Sequence, residues 1–227
     1  MGWPKMLCLV RHAESEGNVL TIDERAQTPI ATHDYALTVR GQEQAKITGQ
    51  YLRNLYPQFD AYYTSYYRRA KETMKLLYPD AKVYEDPRLA EAQRGIYHTM
   101  THEQIAQRFP EELERKEREK LFHHRPLGGE NWADVELRIH SFLGTLSRDY
   151  EDQNVVIVVH GHWLIMFQRL IERFTIEESM RRYQEAVVEN ASITVYGQAW
   201  EEDRHGIPTR ARLKCIQETI VPWKGKL

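Results

Sequence analysis

The chain is 227 residues long, 41% apolar, 28% charged and 11% aromatic, a balance that excludes a disordered or collagen-like chain. Its 31 basic and 33 acidic residues leave a net charge of −2, so no global field draws in nucleic acid or an anionic membrane. Two cysteines, Cys8 and Cys215, are too few for a disulfide framework or a Cys-based zinc site; no apolar run approaches the ~20 residues of a membrane span.

The opening Met1–Lys5 lacks the features of a signal peptide, and a reducing cytoplasm is the expected setting. No internal repeat, low-complexity tract or long linker divides the sequence, so residues 1–227 are read as one domain. Met6-Leu-Cys-Leu-Val10 is a continuous apolar run, as expected of a strand buried on both faces, and it ends abruptly in Arg11-His12. A helix is predicted over residues 37–56, with Thr38 as N-cap, Ile47, Tyr51, Leu52 and Leu55 at helical spacing, and Pro57 as the stop. A strand follows at residues 59–63, then a helix capped by Thr64-Ser65 and running to Leu77.

A short strand near residues 82–84 precedes Pro87-Arg-Leu-Ala-Glu91, and residues 101–121 are predicted helical, with a highly charged stretch, 111–120, read as a solvated face. Gly128-Gly129-Glu130 opens a helix reaching about Tyr150. Residues 154–159 then repeat the pattern of the first strand, ending in His160-Gly161 before a helix over 162–173. Residues 192–196 and 212–216 are predicted strands joined by a polar loop at 201–210. The alternation predicts an α/β fold, a three-layer sandwich with a mainly parallel central sheet flanked by helices.

In such sheets ligands sit beyond the carboxyl ends of the strands. Three predicted strands end in Arg11-His12, in Ser65 with Arg68-Arg69 close behind, and in His160-Gly161. The guanidinium fork matches phosphate oxygens, and helix N-termini add N–H donors, so a shared edge would hold a phosphoryl group. Taken singly, each of these residues is more simply explained as a structural or solvated side chain, and Glu91 by itself is an ordinary carboxylate. Metal hydrolysis draws support only from the spacing of His98 and His102 and the pair His123-His124, without the carboxylate cluster it needs. The aromatic and basic run from Tyr62 to Arg69 is better explained as core packing than as a nucleic-acid patch.

Leu9-Val-Arg-His-Ala-Glu-Ser-Glu-Gly-Asn18 resembles the opening signature of the histidine phosphatase superfamily, the group that includes the cofactor-dependent phosphoglycerate mutases. Further motifs follow in family order: Leu37-Thr38-x-x-Gly41-x-x-Gln44-Ala45, Thr64-Ser65-x-x-x-Arg69-Ala70-x-x-Thr73, Leu89-x-Glu91-x-x-x-Gly95, Gly128-Gly129-Glu130, Val158-Val159-His160-Gly161 and Asn190-x-Ser192. The resemblance implies a phosphoglycerate mutase-like fold, with residues 96–128 as a helical insertion covering the site. It also implies His12 as a transiently phosphorylated nucleophile, Arg11, Arg69 and His160 as clamps on the phosphoryl oxygens, and Glu91 as proton donor. Asn18, Ser15 and Gly161 would complete the phosphate site, and Arg68 would face elsewhere. No metal and no cofactor are implied.

Neighbouring arginines should keep His12 neutral, a protonated His160 would stabilise the transferring group, and departing phosphate charge would raise Glu91. Ala13 replaces the more common Gly of the family, Gly17 the Trp of mutases, and Asn131 the usual Ser. The longer basic insertion of the mutases is missing after Glu91, which favours a phosphomonoester phosphatase over a mutase, and the presence of His12, Arg69, Glu91 and His160 disfavours a non-catalytic phospholigand binder. The expected partner is a small phosphorylated metabolite, with a phosphoprotein as the second choice. His33, Arg25, Tyr35, Arg94, His98, Arg125 and His162 are candidates for the pocket mouth, where a second anionic group of a substrate would arrive.

Overall fold

The computed structural model describes residues 2–185 and 188–227, apart from the side chain of Arg210. Its centre is a six-stranded sheet built from β1 (Met6–Arg11), β2 (Ala61–Thr64), β3 (Val83–Glu85), β4 (Asn154–Val159), β5 (Ile193–Glu202) and β6 (Pro208–Ile220), in the order β3-β2-β4-β1-β5-β6. The first four in that order run parallel, while β5 and β6 run antiparallel to their neighbours, so the sheet is mixed. Arg11 of β1 sits beside Val159 of β4 in register, so His12 and His160 step off the same sheet edge from adjacent strands.

The apolar runs in β1 and β4 follow from burial on both faces. On one face Leu7, Leu9, Val155, Ile157 and Val159 pack with α7 (Trp132–Asp149) and α8 (Gly161–Glu172) through Ile139, Phe142, Leu146, Trp163 and Phe167. On the other, Cys8, Val10, Val156 and Val158 meet α3 (Val39–Leu55) and α4 (Arg68–Leu77) through Leu52, Met74 and Leu77. Each of these side chains, fully removed from water, contributes on the order of 1.5–3 kcal/mol. The three layers predicted from the sequence are therefore present, and Thr38 caps α3 by accepting from the Gly41 N–H at 2.9 Å.

Several boundaries differ from the sequence reading. Thr64 finishes β2 and does not cap a helix; the Ser65 N–H bonds to Val158 O at 3.2 Å, and α4 starts only at Arg68. The single helix expected over 101–121 is two, α5 (His102–Arg108) and α6 (Pro110–His123), because Pro110 lacks an N–H and turns Phe109 out of helical geometry. The helix expected from Gly128 starts instead at Trp132, where the Asn131 side chain accepts from the Asp134 N–H at 2.9 Å. The polar loop expected over 201–210 shrinks to residues 203–207, since the strands continue into it and Asp203 Oδ1 accepts from His205 N–H and Ile207 N–H to close the hairpin. Short helices α1 (Glu16–Val19) and α2 (Ile22–Gln27), and α9 (Ile176–Glu185), were not foreseen.

Candidate active site

The turn after β1 is held at every step. His12 N–H donates to Val159 O (2.9 Å), Ala13 N–H to Thr73 Oγ1 (3.0 Å), Glu14 N–H to Gln44 Oε1 (2.9 Å) and Ser15 N–H to Asn18 Oδ1 (3.0 Å). Four consecutive donors, the first on the end of β4 and the next three on side chains, are thus paired, as buried backbone requires. Two of the acceptors, Thr73 and Gln44, belong to the helix motifs seen in the sequence, which explains their spacing. Asn190 supports the same turn from below, donating to His12 O at 2.9 Å.

His12 is buried, and its tautomer follows from its neighbours. Nδ1 lies 2.7 Å from Ala13 O, which can only accept; Nε2 receives the Arg69 Nε–H at 3.1 Å. The proton is therefore on Nδ1, and the Nε2 lone pair faces Arg69. Burial, then the charges of Arg69, His160 and Arg11, hold His12 well below the usual imidazole range, so it is neutral at neutral pH. Such an imidazole can attack an electrophile once Arg69 turns its donor elsewhere.

Arg11, His12, Ser15, Asn18, Arg69, Glu91 and Gly161 line one cavity of about 420 Å³ at the sheet edge. His160 is fully buried next to His12, its ring centroid 5.1 Å from that of His12 and 4.9 Å from that of Tyr67. Arg11 Nε and both ring nitrogens of His160 are buried without a hydrogen-bond partner among the described residues. Burial, followed by the charge of Arg69, pushes His160 well below the imidazole range against the pull of Glu91. Within the protein's own charges His160 is neutral.

Ser15 lines the cavity, but its hydroxyl donates to Asn18 Oδ1 at 3.0 Å, so it acts on Asn18 and leaves the Asn18 amide donors to the cavity. Arg68 faces away, bonded to Glu72 at 2.8 Å.

Glu91 reaches the site from a loop pinned on three sides. Arg138 donates to Arg88 O (2.8 Å) and Ala90 O (2.7 Å), Trp163 donates to Arg88 O (2.9 Å), and Glu130 both accepts from Gln93 N–H (3.1 Å) and donates its own N–H to Gln93 O (2.8 Å). Gly95 has φ +53°, and a Cβ there would stand 2.0 Å from Leu127 O, so only glycine lets the two loops meet.

The Glu91 carboxylate accepts from Ala92 N–H at 3.0 Å and, at 3.3 Å, from both the backbone N–H and ring Nδ1 of His162. His162 Nε2 faces Arg94 Nη2 at 3.0 Å, and a guanidinium can only donate, so the His162 proton is on Nδ1 and points at Glu91. Burial pushes Glu91 up, but the hydrogen bonds it accepts from His162 and from the Ala92 N–H outweigh it and hold the carboxyl well below the usual range. The protein's own groups thus hold Glu91 low, and the raised Glu91 expected from the sequence depends on the phosphate charge named there.

Of the candidates for the pocket mouth, Arg25, Tyr35, Arg94, His98 and His162 line the cavity. His33 instead packs on Tyr66 and Tyr67, and Arg125 pairs with Asp134. Burial, then the charges of Arg94, Arg25 and Arg69, lower His98 to about 4. Tyr67, whose ring lies under the Arg69 guanidinium at 4.6 Å, and Ile165, Tyr183 and Val188 were not foreseen. No local pattern marks them, because they arrive from elements distant in sequence.

A family model described as "Histidine phosphatase superfamily (branch 1)" matches residues 7–207. The chain is similar to "Phosphoserine phosphatase 1" of Hydrogenobacter thermophilus, 32% identical over 68% of this chain and 70% of that protein. It is also similar to "Phosphoglycerate mutase-like protein AT74" of Arabidopsis thaliana, 33% identical over 70% of this chain but only 54% of that one, so it spans about half of that relative's length. The solved alpha-ribazole phosphatase of Shigella flexneri superposes with a TM-score of 0.69, covering 94% of this chain and 96% of that one at 24% identity, a likeness in fold.

Proposed function

The chain belongs to the histidine phosphatase superfamily, branch 1, and from that premise we propose that it hydrolyses phosphomonoesters of small metabolites through a phosphohistidine on His12. The observation that carries this reading is the state of His12, neutral with its proton on Nδ1 and its Nε2 lone pair beside Arg69 at 3.1 Å. The relatives named as phosphatases support the reaction class.

In the proposed cycle His12 Nε2 attacks phosphorus while the bond from phosphorus to the leaving oxygen breaks. Arg69 transfers its Nε–H from Nε2 to a phosphoryl oxygen as the N–P bond forms. Arg11, with a free Nε–H, His160, with unpartnered ring nitrogens, and the Asn18 amide receive the remaining oxygens, with the N-terminus of α8 at Gly161 adding its partial positive charge. A bound phosphate dianion brings the negative charge that Glu91 needs to take up a proton, which it gives to the leaving oxygen. Water then attacks the phosphohistidine, Glu91 takes its proton, phosphate departs, and Nε2 is free again. Arg11, Arg69, Arg25 and Arg94 supply the positive charge that a metal ion supplies elsewhere. The reading treats the chain as one domain, with residues 96–128 over the mouth of the site.

A panel of phosphorylated metabolites and phosphopeptides, assayed with EDTA present and including 3-phosphoglycerate with its bisphosphate primer, tests the proposal. Phosphate release together with an acid-labile phosphoenzyme that disappears in His12→Ala is expected. Isomerisation without release would make the protein a mutase, binding without turnover a phospholigand carrier, and loss of activity in EDTA would overturn the metal-independent mechanism.

A further inference from the structure

A second cavity of about 270 Å³ adjoins the phosphoryl site and shares with it Arg25, Ala92, Arg94, His98, His162 and Tyr183. Beyond that common rim its walls include Tyr97, Met100, Ile105, Leu121, Pro126 and Trp132, brought together by α5, α6 and the start of α7. Trp132 meets Tyr183 edge-on at 5.0 Å, and Tyr183 meets the His162 ring at 5.0 Å, so aromatic surface runs from the chamber to the residue that bonds Glu91. Of the polar groups of the wall, Gln93 bonds to the Tyr67 hydroxyl, His124 to Glu112 at 3.0 Å and Glu130 to Arg138 at 2.9 Å, and Lys116 lies over the Tyr97 ring at 4.8 Å, while the Tyr97 hydroxyl is buried with no hydrogen-bond partner among the described residues. Beyond the shared rim, what the chamber offers an incoming group is apolar and aromatic surface with one unpaired hydroxyl, that of Tyr97.

The position of the chamber gives it a role. A proton donor must lie within hydrogen-bond reach of the leaving oxygen. The atoms beyond that oxygen then pass Ala92, the neighbour of Glu91, which lines both cavities. The geometry points to this chamber as the leaving-group site, selecting phosphomonoesters of phenols and other planar apolar alcohols over esters whose alcohol is small and charged. A single benzene occupies a cavity of ~150 Å³, so the chamber's 270 Å³ accepts one ring with substituents. Edge-on contacts to Trp132 and Tyr183 suit a planar body.

This inference rests on the phosphatase reading, so its decisive test uses binding and leaves turnover to decide the chemistry. Methylphosphonate, benzylphosphonate and phosphonoacetate are titrated calorimetrically into the full-length wild type and into Met100→Trp, a variant that fills the chamber without touching the phosphoryl cavity. Benzylphosphonate is expected to bind at least about tenfold more tightly than methylphosphonate, the discrimination of a fitted apolar pocket, with a more negative heat-capacity change. Met100→Trp is expected to erase that preference and leave the methylphosphonate affinity unchanged, and Leu121→Gln, which places an amide in the wall, is expected to reduce it. Tightest binding of phosphonoacetate, which would assign Arg25 and Arg94 to a second anion, overturns the inference, as does a benzyl preference that survives both folded variants. The inference stands if these affinities hold even where no ester is turned over, a result that would remove the phosphatase reading alone.

Discussion

Glu91 accepts from the ring Nδ1–H of His162 as well as from its backbone N–H, and removing the ring hydrogen bond has a calculable effect on its protonation. In His162→Phe the ring packing against Trp132 and Tyr183 is kept, while the Nδ1–H donated to Glu91 at 3.3 Å is lost; the backbone N–H of residue 162 stays. A hydrogen bond to a charged group is worth about 1.5–3 kcal/mol. The 3.3 Å length and the partial exposure of both side chains put this one at the lower end. At about 1.4 kcal/mol per pKa unit, the Glu91 carboxyl rises by about one unit. The sign follows from its role: the protonated carboxyl is the active form in the first step, so Glu91 keeps its proton to higher pH. The assay is the pH dependence of kcat on an alkyl phosphate, whose poor leaving group needs the proton most; kcat reports the groups of the bound complex. The alkaline limb is expected to move up by about one pH unit in His162→Phe and to return toward wild type in His162→Asn, whose amide restores a donor. A limb that stays in place, or moves down, would refute the proposed control of Glu91.

Other consequences follow from buried groups and tight contacts. His12 and His160 are both held below the usual imidazole range, burial being the first cause. The unfolded chain therefore binds more protons than the folded one once the pH falls below about 6.5. Stability is expected to decline with acidification through that window, and urea titrations from pH 7.5 to 5 should show a shallower decline in His160→Asn; identical slopes would count against the assignment. Gly95→Ala, at φ +53° with Leu127 O only 2.0 Å from the new Cβ, is expected to cost about 2 kcal/mol or more. Calorimetry should then record a Tm lower by roughly 4–8 °C, and an unchanged Tm would mean the two loops can part freely. Cys8 is fully buried and its thiol is pushed up to about 12 by burial, so a thiol reagent should modify Cys215 first and Cys8 only on unfolding; early labelling of Cys8 would show that the layers covering β1 open.

The central layers could be read from the chain because both faces of β1 and β4 are covered, so each apolar run carries its own evidence of burial. Caps and stops were legible where one side chain decides them, as at Thr38, and missed where the sheet competed, as at Thr64, which pairs with Val158 instead of capping α4. Arg11, His12, Arg69, Glu91 and His160 stood out because strand ends and motif order marked them. Their protonation did not, because an imidazole or carboxyl titrates according to the groups around it, and those arrive from far away in sequence: Arg69 at His12, His162 at Glu91, Tyr67 beside His160.

The identity of the candidate reacting side chains and the alternation of strand and helix are properties of the chain as written, since residue type and apolar period are local. The neutral state of His160, the ionised Glu91 and the aromatic chamber beside the phosphoryl site depend on burial and on contacts across elements from β1 to α9, quantities that exist only once the chain has closed on itself.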